Sequence, residues 1–183
     1  MNPLAPILFI ILPVLVAGIT FIIILKFKLL DFLSYPLDLG LHYRRKRIFG
    51  NNKTLRGPLV MGLGASLYGL LLNMLLKNSL NLSEKEVVVN FFLIGLLYSL
   101  GELPNSFLKR QLGVPPGELP KNSKYKVLFK VSDIFDSLIF CGIGYAILFQ
   151  FPVSLIVLSV LIGGILHIVT DKLMVSLSLK KKA

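Results

Sequence analysis

The chain has 183 residues, of which 55% are hydrophobic and 16% charged, and its formal net charge is +11 at pH 7. Long apolar runs dominate it, and runs of about 18 or more such residues are typical of transmembrane helices, so an ordinary soluble domain is excluded. The positive charge indicates a basic face near anionic lipid headgroups or an anionic substrate, and we expect no nucleic-acid partner.

The apolar segments predict an all-α, polytopic integral membrane protein that forms a single membrane domain over residues 1–183. The five predicted spans are residues 2–25, 57–76, 84–103, 127–149 and 152–172. The first span lacks the basic start of a signal peptide, and we interpret it as a retained helix. Ser83 and Glu86 have the spacing of a capping box before the third span, and Pro104 marks its predicted end.

Basic residues are distributed unevenly between the two sides of these spans. Eighteen of the twenty Lys and Arg residues fall on one side, and only Lys77 and Lys85 fall on the other. The positive-inside rule makes the basic side cytoplasmic. The N-terminus of this multi-pass protein of the cell membrane is then outside and the C-terminus cytoplasmic. Residues 26–56 and 104–126 form cytoplasmic loops, and the lysine-rich tail lies at the same interface.

Ionisable residues of the later spans gather near the predicted cytoplasmic end. Asp133 and Asp136 are three residues apart, so they share a helix face. Two such carboxylates repel unless a proton or cation lies between them, and oxygen ligands suit magnesium. Glu102 is expected at the same depth and is a further candidate ligand. The alternative is a solvated helix start with Ser132 as its cap.

Three other residues within the spans carry polar or reactive groups. His167 and Asp171 are four residues apart, on one face of the fifth span. A lone histidine in a membrane helix often serves helix packing by hydrogen bonding, and the roles of this pair stay open. Cys141 is the single cysteine, cannot form an internal disulfide and is predicted to be a small core residue.

The segment NNKTLRG, residues 51–57, is a candidate phosphate site just before the second span. Its candidate side chains are those of Asn52, Lys53, Thr54 and Arg56. Arginine binds phosphate through a planar fork and lysine as a point charge. The preceding cationic run, residues 44–47, is more simply interpreted as a positive-inside anchor.

A second polar segment follows the third span. The run GELPNSFLKRQLGVPPGE, residues 101–118, contains Asn105, Ser106, Lys109 and Arg110 and then a rigid Gly-Val-Pro-Pro-Gly turn. Polar residues are common in loops, so this segment alone says little. Together with an acid pair on the next helix, it indicates a site for phosphate and a metal ion.

Three of these motifs together resemble the CTP-dependent lipid-phosphate cytidylyltransferases. SFLKR at residues 106–110 and DIFDS at residues 133–137 are similar to the signature of the phosphatidate enzymes, with Ile134 in place of an arginine. NKTLRG and GELPNSFLKRQLGVPPG look closer to the archaeal-type branch, the CDP-archaeol synthases. The motifs run from about residue 50 to residue 137 in the family's order, and His167 is a further candidate match.

The resemblance implies a transferase of phospholipid biosynthesis that converts CTP and a membrane lipid phosphate to a CDP-lipid and pyrophosphate, with Mg²⁺. The lipid would be an archaeal ether-lipid phosphate or phosphatidate. The implied catalytic residues are Asp133, Asp136, Lys109 and Arg110, and the first two would hold the metal with Glu102. The implied nucleotide- and phosphate-binding residues are Asn52, Lys53, Thr54, Arg56, Asn105, Ser106 and Lys130.

The sequence leaves two other classes of protein open. A cation or proton transporter could use the Asp133 and Asp136 pair, but it needs a polar path to the outer side, where the chain offers only Asn73, Asn90 and Gln150. A non-enzymatic protein could dock anionic lipids on the basic face, which leaves the acid pair unexplained. Nothing in the sequence decides between a monomer and a homodimer.

Overall fold

A computed structural model describes residues 4–120 and 122–178. This part of the chain contains α1 (Leu4–Lys26), α2 (Arg56–Leu75), α3 (Glu84–Gln111), α4 (Ser123–Leu148) and α5 (Val153–Ser176). All five helices are long and apolar enough to cross a membrane, which confirms the all-helical membrane architecture. Residues 2 and 3 of the predicted first span and the lysines at positions 180–182 lie outside the described residues.

The third helix is longer than the predicted span. α3 starts at the capping box of Ser83 and Glu86, as predicted, but it continues through Pro104 to Gln111. A proline inside a helix costs roughly 3 kcal/mol because it removes a backbone hydrogen bond and crowds the preceding turn. Contacts of the last two turns with α4 offset this cost. The predicted loop at residues 104–126 is therefore shorter, from residue 112 to residue 122.

The fourth helix also starts earlier than predicted. α4 begins at Ser123, and the Asn122 side chain accepts a hydrogen bond from the backbone N–H of Lys124. Ser132 lies in the third turn of the helix. The interpretation of Ser132 as the cap of a solvated helix start is therefore wrong, because the polar residues before it already form helix.

The helices pack in a closed arrangement with α3 at its centre. α3 lies between α2 and α4 and also contacts α1, while α5 packs on α4 and α1. Small residues let the backbones approach, as is usual for helices in membranes. The closest approach is at Gly95 of α3, which lies against the backbone of Met61 and Gly62 in α2.

The end of the bundle away from the acid pair is an aromatic core. The rings of Phe91, Tyr145, Phe149 and Phe151 are neighbours, with centroid separations of 4.9 Å for Phe91–Phe149 and 5.4 Å for Phe149–Phe151. The Tyr145 hydroxyl donates to the carbonyl oxygen of Phe9 at 3.1 Å. This end of the bundle is therefore filled by aromatic side chains, and the acid pair of α4 lies at the other end.

Between α1 and α2 the chain forms a small ordered unit that the sequence did not predict. It contains a 3₁₀ turn (Asp31–Leu33) and a hairpin of β1 (His42–Tyr43) and β2 (Lys46–Arg47), in which His42 pairs with Arg47. The hairpin packs against α3, since the ring centroids of Tyr43 and Phe107 lie 5.9 Å apart. The predicted loop is thus fixed against the end of α3 that carries the polar residues.

Cys141 is buried and free, as the sequence predicted. Its thiol lies 3.6 Å from the carbonyl oxygen of Ile94 in α3. It therefore serves the packing of α4 on α3.

Gly95→Ala should destabilise the protein, because the added Cβ would lie 2.2 Å from the Met61 carbonyl oxygen and 2.7 Å from the Cα of Gly62. Neither backbone atom can turn aside as a flexible side chain can, and overpacking of this kind costs about 1–3 kcal/mol or more. We expect a lower melting temperature in thermal unfolding of the detergent-purified protein. Gly18→Ala, whose Cβ meets no atom within 4 Å, is the matched control. Equal melting temperatures for the two variants would contradict this packing.

Candidate functional site

The centre of the site is the acid pair on α4. Asp133 and Asp136 share the helix face that meets α3, as their spacing predicted. The two helices come close here because Gly101 has no side chain: a Cβ on it would lie 2.9 Å from the Cα of Ser137. The backbone N–H of Ser137 donates to Asp136 at 2.6 Å. The acid pair is thus held against α3 rather than turned to lipid.

The last turns of α3 supply the hydrogen-bond donors for this pair. The Lys109 ammonium lies 2.5 and 2.6 Å from the two oxygens of Asp133. The Asn105 amide donates to Asp133 at 2.6 Å and to Asp136 at 3.1 Å, so it bridges the carboxylates. Lys109 is 8% and Asn105 5% exposed. Such a buried, hydrogen-bonded ion pair is stable only while both partners remain, because removing one leaves an uncompensated charge.

The segment before α2 also reaches this site. Lys53 forms an ion pair with Glu102 of α3, in which both side chains are partly buried. The charge of Glu102 acts on Asp136 in turn. Two motifs separated by about fifty residues in the chain therefore meet in space at Glu102.

Tyr98 is a member of the site that the sequence did not indicate. The residue is partly buried, and the charges of Glu102, Asp136 and Asp171 all act on it. In the sequence it resembles any other tyrosine of an apolar helix, so only its neighbours in the structure identify it as part of the site. Its position links Asp171 of α5 to the acids of α3 and α4, and the Nδ1 atom of His167 on α5 is buried without a hydrogen-bond partner.

The structure directs several predicted site residues elsewhere. Arg56 donates to the carboxylate of Asp31 at 3.0 Å and to the carbonyl of Leu29 at 3.1 Å, away from the acid pair. Lys130 is exposed, and Lys109 is the cation that pairs with Asp133. Arg110 donates to the carbonyl oxygen of Val114 instead of joining Lys109.

Three further residues were predicted for this site, namely Asn52, Thr54 and Ser106. Asn52 is exposed, Ser106 is partly buried, and Thr54 pairs through its backbone with Pro36. Their assignment to the nucleotide stays a prediction.

A buried aspartate organises the segment between α1 and α2. Asp38 is 3% exposed and forms an ion pair with Arg47. Burial raises the pKa of the Asp38 carboxyl, but its hydrogen bonds outweigh that effect and hold the pKa well below the ordinary value of 3.8. The donors are the Arg47 side chain and the backbone N–H groups of Phe49, Gly50 and Gly40. Asp38 thus fixes the backbone that leads into the NNKT motif.

The cationic run at residues 44–47 is therefore more than a positive-inside anchor. Arg47 pairs with Asp38, and the Lys46 ammonium donates to the carbonyl oxygen of Gln111 at the end of α3, at 2.6 Å. Arg44 and Arg45 are exposed at the hairpin turn. The sequence could not distinguish these roles, because all four residues carry the same charge in one run.

The donor set at the acid pair is suited to magnesium. Within residues 4–120 and 122–178, no three His, Cys, Asp or Glu side chains are grouped closely enough to hold a metal, and Glu102 is occupied by Lys53. Two carboxylates are nevertheless enough for Mg²⁺ that also binds substrate phosphates and water. The Oδ1 atom of Asn105 is buried without a hydrogen-bond partner and adds a third oxygen beside Asp133 and Asp136.

The fold and the site define a helical membrane protein in which carboxylates, an amide and lysines converge at one end of the bundle, an arrangement suited to phosphate chemistry. The profile of one family, described as CDP-archaeol synthase (CarS-like), matches residues 2–183, so the chain belongs to that family. The family is one of CTP-dependent cytidylyltransferases that act on a lipid phosphate, which confirms the resemblance seen in the motifs. Searches of curated proteins and of solved structures give no match.

Asp38→Asn should lower the free energy of unfolding by about 1–3 kcal/mol at neutral pH, because the partly buried Arg47 guanidinium and three backbone N–H groups lose a charged acceptor. Since its folded-state pKa is depressed, Asp38 stabilises the protein above its ordinary pKa of 3.8 and loses that effect as the pH falls further. Thermal unfolding of both proteins over a pH series checks this, and the gap between them should narrow below about pH 4.

Asp31→Asn is the matched control, since Asp31 pairs with Arg56 but its side chain is 63% exposed. Exposed ion pairs contribute about 0–1 kcal/mol, so this variant should unfold nearly as the wild type does. A larger loss from Asp31→Asn than from Asp38→Asn would contradict the organising role of Asp38.

Proposed function

We propose that this protein transfers the cytidylyl group of CTP to an archaeal-type ether-lipid phosphate, giving a CDP-lipid and pyrophosphate. The observation that carries the proposal is the convergence of Lys109 and Asn105 on Asp133 and Asp136, at the end of the bundle where the basic residues concentrate. This arrangement explains why membrane-spanning helices contain an acid pair: the substrate's chains stay in the bilayer while its phosphate is presented at the helix ends.

The reaction needs charge neutralisation more than it needs a strong base. The second pKa of a phosphate monoester is about 6, so the lipid phosphate is mostly a dianion at neutral pH. One of its oxygens attacks the α-phosphorus of CTP, the bond from that phosphorus to the bridging oxygen breaks, and pyrophosphate leaves with the electron pair. Positioning two polyanions and stabilising the developing charge are therefore the tasks of the protein.

Each cation of the site has a task in this scheme. Lys109 is partly buried beside Asp133, where an incoming phosphate would meet a desolvated ammonium. Lys53 faces Glu102 and supplies a second positive charge from the NNKT motif. Asn105 and Ser106 are assigned to orientation of the nucleotide. Electrostatic interactions are stronger here than in water, because the site lies among apolar helices.

Magnesium is the cofactor that this donor set favours. Asp133 and Asp136 would hold it, with the unpartnered Asn105 oxygen as a neighbouring ligand. Bound Mg²⁺ would stabilise negative charge on the transferred phosphate and the leaving group. Without the metal, the carboxylates accept hydrogen bonds from Lys109 and Asn105, so the site can fold before Mg²⁺ binds.

Asp136→Asn should reduce CDP-lipid formation by at least about 100-fold, as expected when a group that stabilises transition-state charge is removed. The measurement is Mg²⁺-dependent incorporation of labelled CTP into the lipid phase by detergent-purified protein, offered digeranylgeranylglyceryl phosphate or phosphatidate. Glu84→Gln, at the far end of α3, should keep wild-type activity.

Incorporation that survives in Asp136→Asn would overturn the role of the acid pair, and greater activity with phosphatidate would overturn the choice of lipid. If folded wild-type protein modifies neither lipid, the cytidylyltransferase proposal fails. Cation flux in sealed vesicles without a CTP requirement would then favour the transporter. Asn73 and Asn90 argue against that class, because they are hydrogen-bonded to backbone at the turns that close the outer end.

We place the site on the cytoplasmic side, with the N-terminus outside, because eighteen of twenty basic residues fall on that side. Lys124→Cys should react with a membrane-impermeant maleimide only when the inner face is opened, and Lys77→Cys should react in intact cells. Both native side chains are exposed, and Cys141 is buried, so it should not react with the maleimide. The opposite labelling pattern would reverse the orientation.

A further inference from the structure

A cavity lies beside the acid site, between the hairpin and the C-terminal end of α3. Its volume is about 370 Å³, within the range of roughly 300–1,000 Å³ that is usual for small-molecule sites. It is lined by Lys46, Arg47, Gly50, Asn51, Arg110 and residues 113–116. We call it the hairpin pocket.

The charge of the hairpin pocket suits an anion. Lys46, Arg47 and Arg110 all line it, and none of the described lining residues is acidic. Arg47 is balanced by Asp38, and Glu118 acts on Arg110 from outside the lining. Lys46 has a backbone carbonyl as its partner, so its charge stays uncompensated. The pocket therefore retains net positive charge at its mouth.

Arg110 gives an independent indication of a ligand. It is only 7% exposed, and its Nε–H is buried without a hydrogen-bond acceptor, while another N–H of the same guanidinium donates to Val114. A buried donor without an acceptor costs roughly 1–3 kcal/mol, and more in a charged group. A phosphate oxygen in the pocket would satisfy it.

The walls of the pocket are rigid before any ligand arrives. Gly50 has a φ of +95°, and a Cβ on it would lie 3.0 Å from the Pro116 ring and 3.7 Å from the Arg110 side chain. Asp38 fixes this backbone by accepting from the Gly50 N–H at 3.0 Å. The opposite wall contains Pro115 and Pro116, whose φ angles are fixed. A preformed site of this kind loses little entropy on binding.

The hairpin pocket and the acid site are neighbours on α3. Lys109 and Arg110 are consecutive, and the helix directs Lys109 to Asp133 and Arg110 into the pocket. The charges of Arg110 and Asp133 still act on each other. Consecutive residues of α3 thus serve two neighbouring positions for anions, an arrangement suited to a polyphosphate chain.

We propose that the hairpin pocket binds the two terminal phosphates of CTP and receives them as pyrophosphate when the α-phosphorus is transferred at the acid site. The proposal rests on the cytidylyltransferase function and assigns Lys46, Arg110 and Asn51 to the leaving group. It separates the pyrophosphate end of the nucleotide, at the hairpin, from the lipid phosphate, which arrives at Lys109 from the bilayer.

The test is calorimetric binding of inorganic pyrophosphate to the detergent-purified full chain in magnesium buffer. Lys46→Gln should weaken pyrophosphate binding by about tenfold, the effect expected from loss of one charged hydrogen bond. Arg45→Gln removes the same charge from the adjacent, exposed position outside the pocket and should bind within about twofold of the wild type. Both changed side chains are exposed, so neither substitution should impair folding.

Competition identifies the source of the anion. CTP should displace pyrophosphate from the wild type, and CMP, which lacks the terminal phosphates, should not. Equal pyrophosphate affinity in all three proteins, or a Lys46-dependent affinity that CTP does not affect, would overturn the pocket assignment even if the enzyme turns over lipid. Loss of lipid turnover with intact, Lys46-dependent competition would overturn the proposed reaction and leave the pocket assignment standing.

Discussion

Two carboxylates on a membrane-spanning helix, and the donors they require, are the constraint on which the rest of this structure depends. An ionisable side chain within a transmembrane helix costs several kcal/mol unless it is paired or reaches water. Asp133 and Asp136 are paired with Lys109 and Asn105, which α3 can supply only if it continues past Pro104 and approaches α4 at Gly101. The length of α3 and its close contact with α4 both follow from this requirement.

The segment between α1 and α2 is ordered by a second buried carboxylate. Asp38 accepts hydrogen bonds from Arg47 and three backbone N–H groups and thereby makes a compact unit of a stretch that is otherwise polar and short of core residues. That unit brings Lys53 to Glu102 and Lys46 to the end of α3. The basic residues of one loop thus serve three purposes, namely folding of the loop, neutralisation of the acid site and the walls of the hairpin pocket.

These two centres fit a reaction in which one substrate is dissolved in the bilayer and the other in water. The aromatic core at Phe91 and Tyr145 closes the far end of the bundle, so polar chemistry is restricted to one end. At that end, two basic side chains of α3 point to different places. Lys109 contacts the acid pair among the spanning helices, and Arg110 lines the pocket beside the hairpin. In the proposed reaction, this division would give the lipid phosphate and the nucleotide separate approaches to one reacting centre.

The amino-acid sequence alone was enough to predict the five apolar helices, the capping box at Ser83, the buried Cys141 and the family of the chain. These features depend on hydrophobicity and spacing within a single segment, and each can be read locally. The continuation of α3 past Pro104 could not be predicted in this way. A proline tends to end a helix, and here contacts with another helix outweigh that local tendency.

Which charged side chains form pairs depends on how the helices pack, and the sequence did not predict it. Arg56 and Lys130 were predicted to bind phosphate, as Lys53 was, yet the fold directs Arg56 to Asp31 and leaves Lys130 exposed. Asp38 and Tyr98 belong to no recognised motif, and their roles come from burial and from neighbours that are distant in the chain. The physical reason is that a charge is stabilised by whatever lies within a few ångströms of it, and helix packing rather than sequence order sets that neighbourhood.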